Sequence, residues 1–277
     1  MTAPLRLCLA GSSVSGSPSA AMHTAALRAS RIEGSYVLRD LSPAELPGFV
    51  AELRSGAYRG CNVTIPYKAA LAAACDQLVG DAELLGAVNT ITVESGRLVG
   101  DNTDADGFEL GLSVQRLWPR PGGAALVIGA GGAAAAVVLA LSRAPVSSVG
   151  IVARRPPAAA ALAARMSAFV PVAVLPWDHR ALRNRLGVPS IVVNATPAGL
   201  ADLPLRPQDL PASCTVADVR YRPGPIEFVA AARATGHPAG DGLEMLLQQG
   251  MLSFTRWTGA PPPWAAARAG LLAALDL

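Results

Sequence analysis

The sequence predicts two α/β domains: an N-terminal domain with a mainly parallel β-sheet, then a second domain on a parallel sheet, with the C-terminal helices returning to the first. Short apolar runs of strand type alternate with helical stretches along the chain, the pattern typical of such folds. Residues 125–128 form an apolar run that stops at glycines and continues as Ala-rich helical sequence to about residue 141. The length of 277 residues is enough for two domains of ordinary size.

Composition narrows the class of protein. Hydrophobic residues make up 51% and charged residues 16%, which favours a soluble protein with a substantial core. No apolar run reaches the ~18–20 residues needed to span a bilayer, and residues 1–10 lack the charged start and long apolar core of a signal peptide. We therefore expect a cytoplasmic protein with no membrane partner. A net charge of +3, with no basic cluster longer than Arg154-Arg155, argues against nucleic acid as a partner.

The cysteine pattern favours reduced thiols. Cys8, Cys61, Cys75 and Cys214 are widely spaced and include no C-x-x-C pair. None of the three histidines stands at ligand spacing with a cysteine, so no metal is expected.

The first predicted strand, residues 5–10, leads into a hydroxyl-rich loop over residues 12–19. A helix is expected over residues 20–29, with Ser19 as its N-cap. Taken alone, the loop serines are ordinary loop and cap residues. The functional alternative is that two hydroxyls near a helix N-terminus bind a carboxylate.

The strand–helix alternation continues with a strand over residues 36–39, a helix over 43–53 capped by Ser42, a strand over 60–65, and a helix to about residue 75 with Pro66 in its first turn. Residues 86–100 predict a β-hairpin whose exit carries the polar cluster 101–104. Asp104 is expected to precede a helix over residues 106–117, where the helix dipole favours an acid. Residues 119–123 form a linker at which the composition changes, as at a domain boundary.

Lys68 is the only lysine among 23 basic residues. Wherever a generic positive charge would serve, this chain uses arginine, which stays protonated at any working pH, whereas lysine can lose its proton. Lys68 would also lie just beyond the C-terminal end of a strand, where α/β folds keep their ligands. We therefore expect Lys68 to take part in proton chemistry.

The glycines that follow residues 125–128 predict a Rossmann dinucleotide-binding domain, because Gly129, Gly131 and Ala134 occupy the G-x-G-x-x-G/A positions. Gly129 would allow the tight turn, Gly131 would let the backbone approach a pyrophosphate, and Ala134 would let the helix sit close to the sheet. The N–H groups of the first helical turn would face the anion.

The second strand of this domain, residues 149–153, ends at Arg154-Arg155, about 20 residues after the glycines. NAD enzymes carry an acid here, which binds the ribose 2′-hydroxyl. Two guanidiniums suit a 2′-phosphate instead, so the sequence favours NADP. The remaining predicted elements are strands over residues 190–193 and 215–219 and helices over residues 226–235, 243–257 and 264–275.

Several segments together resemble the shikimate/quinate dehydrogenase family over nearly the whole chain. They are residues 62–68 (Asn-Val-Thr-Ile-Pro-Tyr-Lys), 86–90 (Gly-Ala-Val-Asn-Thr), 102–107 (Asn-Thr-Asp-Ala-Asp-Gly), 129–133 (Gly-Ala-Gly-Gly-Ala), 194–197 (Asn-Ala-Thr-Pro), 242–249 and 257–259 (Trp-Thr-Gly). Each segment alone is modest evidence for the family, but their order and spacing together are specific to it.

The resemblance implies an NADP-dependent shikimate dehydrogenase of aromatic amino acid biosynthesis, on the route to chorismate. Lys68, held by Asp104, would accept the proton of a ring hydroxyl as hydride passes to the nicotinamide, and return it to the ketone of 3-dehydroshikimate in reverse. The implied contacts to this cyclic hydroxy-carboxylate substrate are Ser17, Ser19, Thr64, Asn89, Tyr221 and Gln249. The implied cofactor contacts are Gly129, Ala130, Gly131, Gly132, Ala133, Arg154, Arg155, Thr196, Val219 and Gly242.

The resemblance also implies the domain plan. Residues 1–106 with 240–277 would form the substrate-binding and catalytic domain, and residues 107–239 the Rossmann NADP-binding domain. The active site would lie in the cleft between them. The sequence leaves the oligomeric state open, a homodimer included.

Two departures from the family pattern leave alternatives open. The first loop of the family has the sequence His-Ser-x-Ser-Pro. An ungapped match to this chain aligns the two serines with Ser17 and Ser19, and it replaces the His by Gly16 and the Pro by Ala20. Quinate or an amino-substituted analogue therefore stays open as substrate. The family's NADP enzymes have Asn-Arg-Thr or Asn-Arg-Ser where this chain has Ala153-Arg154-Arg155, which leaves NAD as an alternative cofactor. An alternative that is not an enzyme also stays open: a regulatory protein that binds a dinucleotide and keeps the fold but catalyses no reaction.

Overall fold

A computed structural model of the chain describes residues 4–180, 182 and 189–277. Within them the strands are β1 Leu5–Gly11, β2 Gly34–Asp40, β3 Gly60–Val63, β4 Gln77–Leu78, β5 Thr90–Glu94, β6 Arg97–Asp101, β7 Ala124–Ile128, β8 Ser148–Val152, β9 Val172–Leu175, β10 Pro189–Asn194, β11 Thr215–Asp218 and β12 Ala239–Gly240. The α-helices of the same residues are α1 Ser19–Ala29, α2 Leu46–Arg54, α3 Lys68–Ala74, α4 Asp81–Leu85, α5 Asp104–Val114, α6 Gly132–Arg143, α7 Pro156–Met166, α8 Glu227–Ala234, α9 Leu243–Thr258 and α10 Trp264–Ala273.

The described chain divides into two compact units. The first consists of residues up to Thr103 together with Leu247–Leu277, and the second is Asp104–Leu246. The linker at residues 119–123 lies inside the second unit, after α5. Helix α9 begins in the second unit and belongs to the first from Leu247 onward.

The first unit is built on a six-stranded sheet of order β2-β1-β3-β5-β6-β4. Strand β1 pairs in parallel with β2 and β3, and β4 pairs in parallel with β6. The β5–β6 hairpin is antiparallel and joins β3 in an antiparallel pairing. One face buries a core in which Cys8 and Cys61 on the strands lie with Phe49 of α2 and Leu71 of α3. A parallel sheet needs helical crossovers that cover it, which explains the strand–helix alternation of the sequence.

The second unit is built on a six-stranded sheet of order β12-β11-β10-β7-β8-β9 in which every pairing is parallel. Counted from β7, this is the 3-2-1-4-5-6 order of the Rossmann fold. The strand order reverses at the neighbours β7 and β10, and ligands of such sheets bind where this reversal occurs. The structure therefore confirms the predicted α/β class and its dinucleotide-binding topology.

Three expectations about helix starts were wrong. Ser19 is the first residue of α1 rather than its N-cap, because the preceding Pro18 already has helical backbone angles, φ −72° and ψ −6°. Pro66 lies before α3, which begins at Lys68. Helix α5 begins at Asp104 and ends at Val114, earlier at both ends than expected.

The region after Ser42 begins with a 3₁₀ turn, Pro43–Glu45, before α2. Ser42 caps this turn: both its backbone N–H and its hydroxyl donate to the Glu45 carboxylate, at 2.8 and 2.7 Å. The short elements β4, α4, β9 and β12, and the 11-residue helix α7, were not predicted.

All four cysteines are free thiols. Burial raises the pKa of Cys75 to about 11 and that of Cys214 to about 12, because a thiolate is poorly solvated there. No helix among the described residues is both long enough and apolar enough to cross a membrane.

His23 of α1 is a fully buried base in the core of the first unit. Its ring stacks on Tyr36, with centroids 4.3 Å apart, and Trp257 lies 5.6 Å away. Burial lowers the pKa of His23 from 6.5 to about 3, because the charged imidazolium would lose its hydration. The folded protein therefore holds this side chain neutral, whereas the unfolded chain protonates it at about pH 6.5.

We expect acid to weaken the fold through His23. Because the unfolded state binds the extra proton, the free energy of unfolding falls as the pH drops from 6.5 towards 3, by up to about 1.4 kcal/mol per pH unit from this group. Urea unfolding at pH 7 and pH 5 measures the change. The variant His23→Phe keeps a ring on Tyr36 and should lose this part of the pH dependence. An equal pH dependence in both proteins would contradict the assignment.

Candidate active site

In the first unit, Thr64 and Lys68 lie just past the C-terminal end of β3. The Thr64 N–H donates to the carbonyl of Ala10 on β1 at 2.9 Å, which ties this segment to the neighbouring strand. Lys68 opens α3, and its carbonyl accepts the Val88 N–H at 3.0 Å. This bond brings the segment that carries Asn89 beside the start of α3.

Asn89 is 2% exposed, and its side-chain amide has a defined orientation. The backbone N–H of Thr103 can only donate, and it lies 2.8 Å from Asn89 Oδ1. The Thr90 hydroxyl donates to the same oxygen at 2.8 Å. The Asn89 NH₂ group therefore points the other way, where it donates to Thr103 Oγ1 at 2.9 Å and to Gln249 Oε1 at 3.2 Å. Both N–H groups of Asn89 are thus committed to Thr103 and Gln249, so the orientation of its side-chain amide is fixed.

Gln249 is positioned by the C-terminal part of α9, which is fixed to the sheet at three points. Ser253 Oγ lies 2.7 Å from Thr90 Oγ1, the Trp257 indole N–H donates to the Ile91 carbonyl at 3.0 Å, and Arg256 pairs with Asp101 at 2.7 Å. Because these anchors lie one to two turns beyond Gln249, its backbone has little freedom.

Ser17 and Ser19 lie together at the N-terminus of α1, their hydroxyl oxygens 3.1 Å apart. The Asp40 carboxylate holds the preceding loop by accepting the backbone N–H groups of Val14 at 2.5 Å and Ser15 at 3.2 Å. Two adjacent hydroxyls at a helix N-terminus suit the two oxygens of a carboxylate.

The second unit carries the glycine loop between β7 and α6, in the geometry expected of it. Gly129 has φ +127°, and a Cβ there would lie 2.8 Å from the Ala195 carbonyl. A Cβ on Gly131 would meet nothing within 4 Å, so the approach to the N-terminus of α6 is open. Ala134 is fully buried against the sheet. Gly131 and Gly132 are exposed, and Ala130 and Ala133 are partly exposed. The loop therefore fits a dinucleotide pyrophosphate.

Arg154 and Arg155 are exposed just past the end of β8, and Arg155 is the residue before α7. The Arg154 guanidinium lies 6.0 Å from the ring centroid of Trp177, which follows β9. These groups fit the 2′-phosphate of NADP, because a guanidinium binds phosphate in two parallel hydrogen bonds.

A polar network links the C-terminal ends of β10 and β11. The Thr196 hydroxyl donates to Asn194 Oδ1 at 2.7 Å, and Asn194 Nδ2 donates to the Asp218 carboxylate at 2.9 Å. Asp218, 1% exposed, also pairs with Arg220 at 2.7 Å. This network fixes the segments that carry Thr196 and, after β11, Val219 and Tyr221.

Val219 and Gly242 lie in the wall of one small pocket of the second unit, with Phe108, Gly111 and Met245. The Gly242 N–H donates to the Arg220 carbonyl at 2.9 Å. A Cβ at position 242 would overlap the Val219 carbonyl, so this close approach needs glycine.

The predicted site residues thus form two groups. The first unit brings together Asn89 and Gln249 near the start of α3 and pairs Ser17 with Ser19; the second holds Asp104 and the expected cofactor contacts. Asp104 is the residue after Thr103 in the chain and is buried. Sequence reasoning missed four polar residues that hydrogen-bond within the first group: Asn62, Thr90, Thr103 and Ser253. The first three stand within or beside motifs quoted above, whereas Ser253 has no sequence signal.

No group of three or more His, Cys, Asp or Glu side chains in the described residues is arranged to hold a metal ion.

Comparison with known proteins identifies the family. The model of the shikimate dehydrogenase substrate binding domain matches residues 9–91, and that of the shikimate 5′-dehydrogenase C-terminal domain matches residues 242–269. The shikimate dehydrogenase (NADP(+)) of Methylobacterium radiotolerans is 42% identical over 93% of this chain and 92% of its own length. The chain belongs to the shikimate dehydrogenase family.

Solved structures of similar proteins share the fold. The shikimate 5-dehydrogenase of Thermus thermophilus, in complex with NADP(H) and shikimate, is 37% identical, with a TM-score of 0.86 over 98% of this chain and 100% of that one. The quinate dehydrogenase of Corynebacterium glutamicum, in complex with NAD, is 30% identical, with a TM-score of 0.88 over 98% of this chain and 99% of that one. The solved neighbours of this chain thus include one protein named for each substrate, one in complex with NADP(H) and the other with NAD.

The glycine loop offers a matched pair of variants. Gly129→Ala should lower the free energy of unfolding by at least about 1–2 kcal/mol, because φ is positive there and the new methyl group meets the Ala195 carbonyl. Gly131→Ala should leave stability within about 0.5 kcal/mol of wild type, yet weaken NADP binding, because its methyl group points into open space at the start of α6. Urea unfolding and calorimetric titration measure the two effects. Unchanged NADP affinity in Gly131→Ala would contradict the loop assignment.

Proposed function

We propose that this protein catalyses the reversible NADP-dependent oxidation of shikimate to 3-dehydroshikimate, a step of aromatic amino acid biosynthesis, in the cytoplasm. The observation that carries the proposal is the polar cluster of Asn89, Thr103 and Gln249 in the first unit, beside the helix that the only lysine opens. Curated relatives named shikimate dehydrogenase (NADP(+)) support it.

The first unit is the proposed substrate-binding unit. Shikimate carries one carboxylate and three ring hydroxyls. The paired hydroxyls of Ser17 and Ser19 suit the carboxylate, while Thr64, Asn89 and Gln249 supply donors and acceptors for the ring hydroxyls. Tyr221, from the second unit, is proposed as a further substrate contact.

The second unit is the proposed NADP-binding unit. The loop of residues 129–133 would hold the pyrophosphate, and Arg154 and Arg155 the 2′-phosphate. Thr196, Val219 and Gly242 would line the remainder of the cofactor site. NADP, when bound, supplies the hydride acceptor in the oxidation and NADPH the hydride donor in the reduction.

Lys68 and Asp104 are the proposed catalytic pair. As the ring carbon loses hydride, the hydroxyl on it must lose its proton, or an unstable protonated ketone would form. The Lys68 amine accepts that proton, and in the reverse direction the Lys68 ammonium returns it to the carbonyl oxygen. The Asp104 carboxylate steadies the ammonium and orients it towards the substrate oxygen. No metal is needed in this scheme, because the proton acceptor lies on the protein itself.

Quinate is the second candidate substrate, and a specific observation favours testing it. The serine loop has Gly16 and Ala20 where the family has His and Pro, so the contacts around the carboxylate differ from the usual pattern. Quinate adds a hydroxyl on the ring carbon that bears the carboxylate, next to this loop.

Lys68→Met tests the proton-transfer role. The variant keeps a long, flexible side chain but has no amine, so we expect kcat for shikimate oxidation to fall about 10²–10⁴-fold, with the dissociation constant for NADP unchanged. Stopped-flow absorbance of NADPH and calorimetric titration of NADP give the two values. Wild-type turnover in Lys68→Met would refute the proton-transfer role. If the wild-type protein binds NADP but oxidises neither shikimate nor quinate, it is a regulator rather than an enzyme.

Arg155→Ala tests the cofactor preference. Losing a charge-assisted hydrogen bond to phosphate costs about 1.5–3 kcal/mol, so NADP binding should weaken by about 10–150-fold while NAD binding stays unchanged. Arg165→Ala, at the exposed far end of the same helix, is the matched control and should bind both cofactors as the wild type does. Equal weakening of NADP and NAD binding would contradict a 2′-phosphate contact.

A further inference from the structure

Ser253 is a fully buried serine of α9, one turn beyond Gln249, and lies outside every motif quoted above. Its hydroxyl oxygen lies 2.7 Å from Thr90 Oγ1, 3.0 Å from Asn62 Nδ2, 3.0 Å from the Gln249 carbonyl and 3.4 Å from Thr103 Oγ1. A serine hydroxyl carries one proton, so it can donate to only one of the three oxygens, those of Thr90, Gln249 and Thr103. The neighbouring bonds decide where that proton goes.

The direction of the Ser253–Thr90 bond follows from Asn89. Because the Thr103 backbone N–H fixes Asn89 Oδ1 as an acceptor, the Thr90 hydroxyl must donate its proton to that oxygen. Thr90 Oγ1 then has only lone pairs left for Ser253. The 2.7 Å contact therefore uses the Ser253 proton, and the Gln249 carbonyl, which also lies 3.0 Å from Ser253 Oγ, accepts the Thr103 hydroxyl proton instead.

The amide of Asn62 has an equally defined orientation. Its Nδ2 lies 3.0 Å from the Asn89 backbone carbonyl, which can only accept, so Nδ2 is the donor side. The second N–H of this group donates to Ser253 Oγ at 3.0 Å, and Asn62 Oδ1 accepts the Tyr36 hydroxyl at 2.8 Å. One directional chain of hydrogen bonds thus runs from Tyr36 through Asn62, Ser253 and Thr90 to Asn89.

The chain continues to the proposed substrate site. Asn89 Nδ2 donates to Thr103 Oγ1, and the Thr103 hydroxyl donates to the Gln249 carbonyl at 3.0 Å. Both ends of this continuation are proposed substrate contacts. Every member from Asn62 to Thr103 is buried, so an unmade hydrogen bond there is not replaced by water at no cost.

We propose that Ser253 is a positioning residue for substrate binding: its hydroxyl orients Thr90 as the donor to Asn89 and thereby holds the Asn89 amide protons towards Thr103 and Gln249, so that the two proposed substrate contacts Asn89 and Gln249 keep one arrangement. This assignment rests on the proposed function of the same site. Without the Ser253 hydroxyl, Asn62 loses an acceptor and Thr90 loses the donor that orients it. Asn89 then keeps the Thr103 backbone bond but loses its second restraint.

Calorimetric titration of shikimate into Ser253→Ala tests this. Loss of one buried hydrogen bond in the network should weaken shikimate binding by about tenfold, whereas NADP binding should not change, because the network lies in the first unit. Thr255→Val is the matched control: it removes a hydroxyl of the same helix that donates to the Met251 carbonyl, and should bind shikimate as the wild type does. A residue that only supports folding would lower the melting temperature and leave both dissociation constants unchanged.

A double-mutant cycle with Thr90→Val separates this role from a general loss of packing. If Ser253 acts through Thr90, Thr90→Val alone should weaken shikimate binding about as much as Ser253→Ala, and the double variant should bind no worse than Thr90→Val. Additive losses would overturn the proposal. If Ser253→Ala fails to fold, the shikimate affinity of Thr90→Val tests the proposal by itself. Wild-type affinity in Thr90→Val would also overturn the positioning role of Ser253. A wild-type protein that does not bind shikimate refutes the proposed function instead.

Discussion

The hydrogen bond from the Thr103 backbone N–H to Asn89 Oδ1 is the constraint on which the site in the first unit depends. A backbone N–H has one role, so it settles which side of the Asn89 amide accepts and which donates. From that single choice follow the directions of the bonds to Thr90, Thr103 and Gln249, and beyond them the role of Ser253. Under the proposed function, the substrate would meet side chains whose orientation was set before it arrived, which lowers the free-energy cost of ordering them on binding.

In the second unit, the shape of the glycine loop after β7 depends on backbone geometry rather than on side-chain hydrogen bonds. Parallel pairing places the C-terminal ends of β7 and β10 side by side, so the glycine loop after β7 touches the segment after β10, where a Cβ on Gly129 would meet Ala195. Only a residue without a side chain fits that turn, and the next glycine leaves the start of α6 open. The proposed discrimination among dinucleotides depends on charge at the end of β8, where the Arg154 guanidinium lies 6.0 Å from the Trp177 ring centroid.

Much of this arrangement could be predicted from the sequence, because it is local. The run of residues 125–134 carries its own strand, turn and helix signals, and Lys68 stands out by composition alone. Errors arose at helix ends, as at Ser19, where the preceding Pro18 already has helical backbone angles and is itself the N-cap. The network around Ser253 was beyond prediction, since Asn62 and Ser253 are 191 residues apart and neither periodicity nor spacing links them. Short elements such as β4, with two residues, carry too little pattern to be recognised.

The most direct test of the account is a matrix of steady-state rates with shikimate and quinate, each with NADP and NAD. Serine hydroxyls placed for a carboxylate, an oriented Asn89 and two guanidiniums after β8 predict the highest kcat/KM for shikimate with NADP, at least about tenfold above each other pair, which corresponds to about 1.4 kcal/mol of transition-state stabilisation. A protein most active on quinate with NAD would contradict both the substrate and the cofactor assignment.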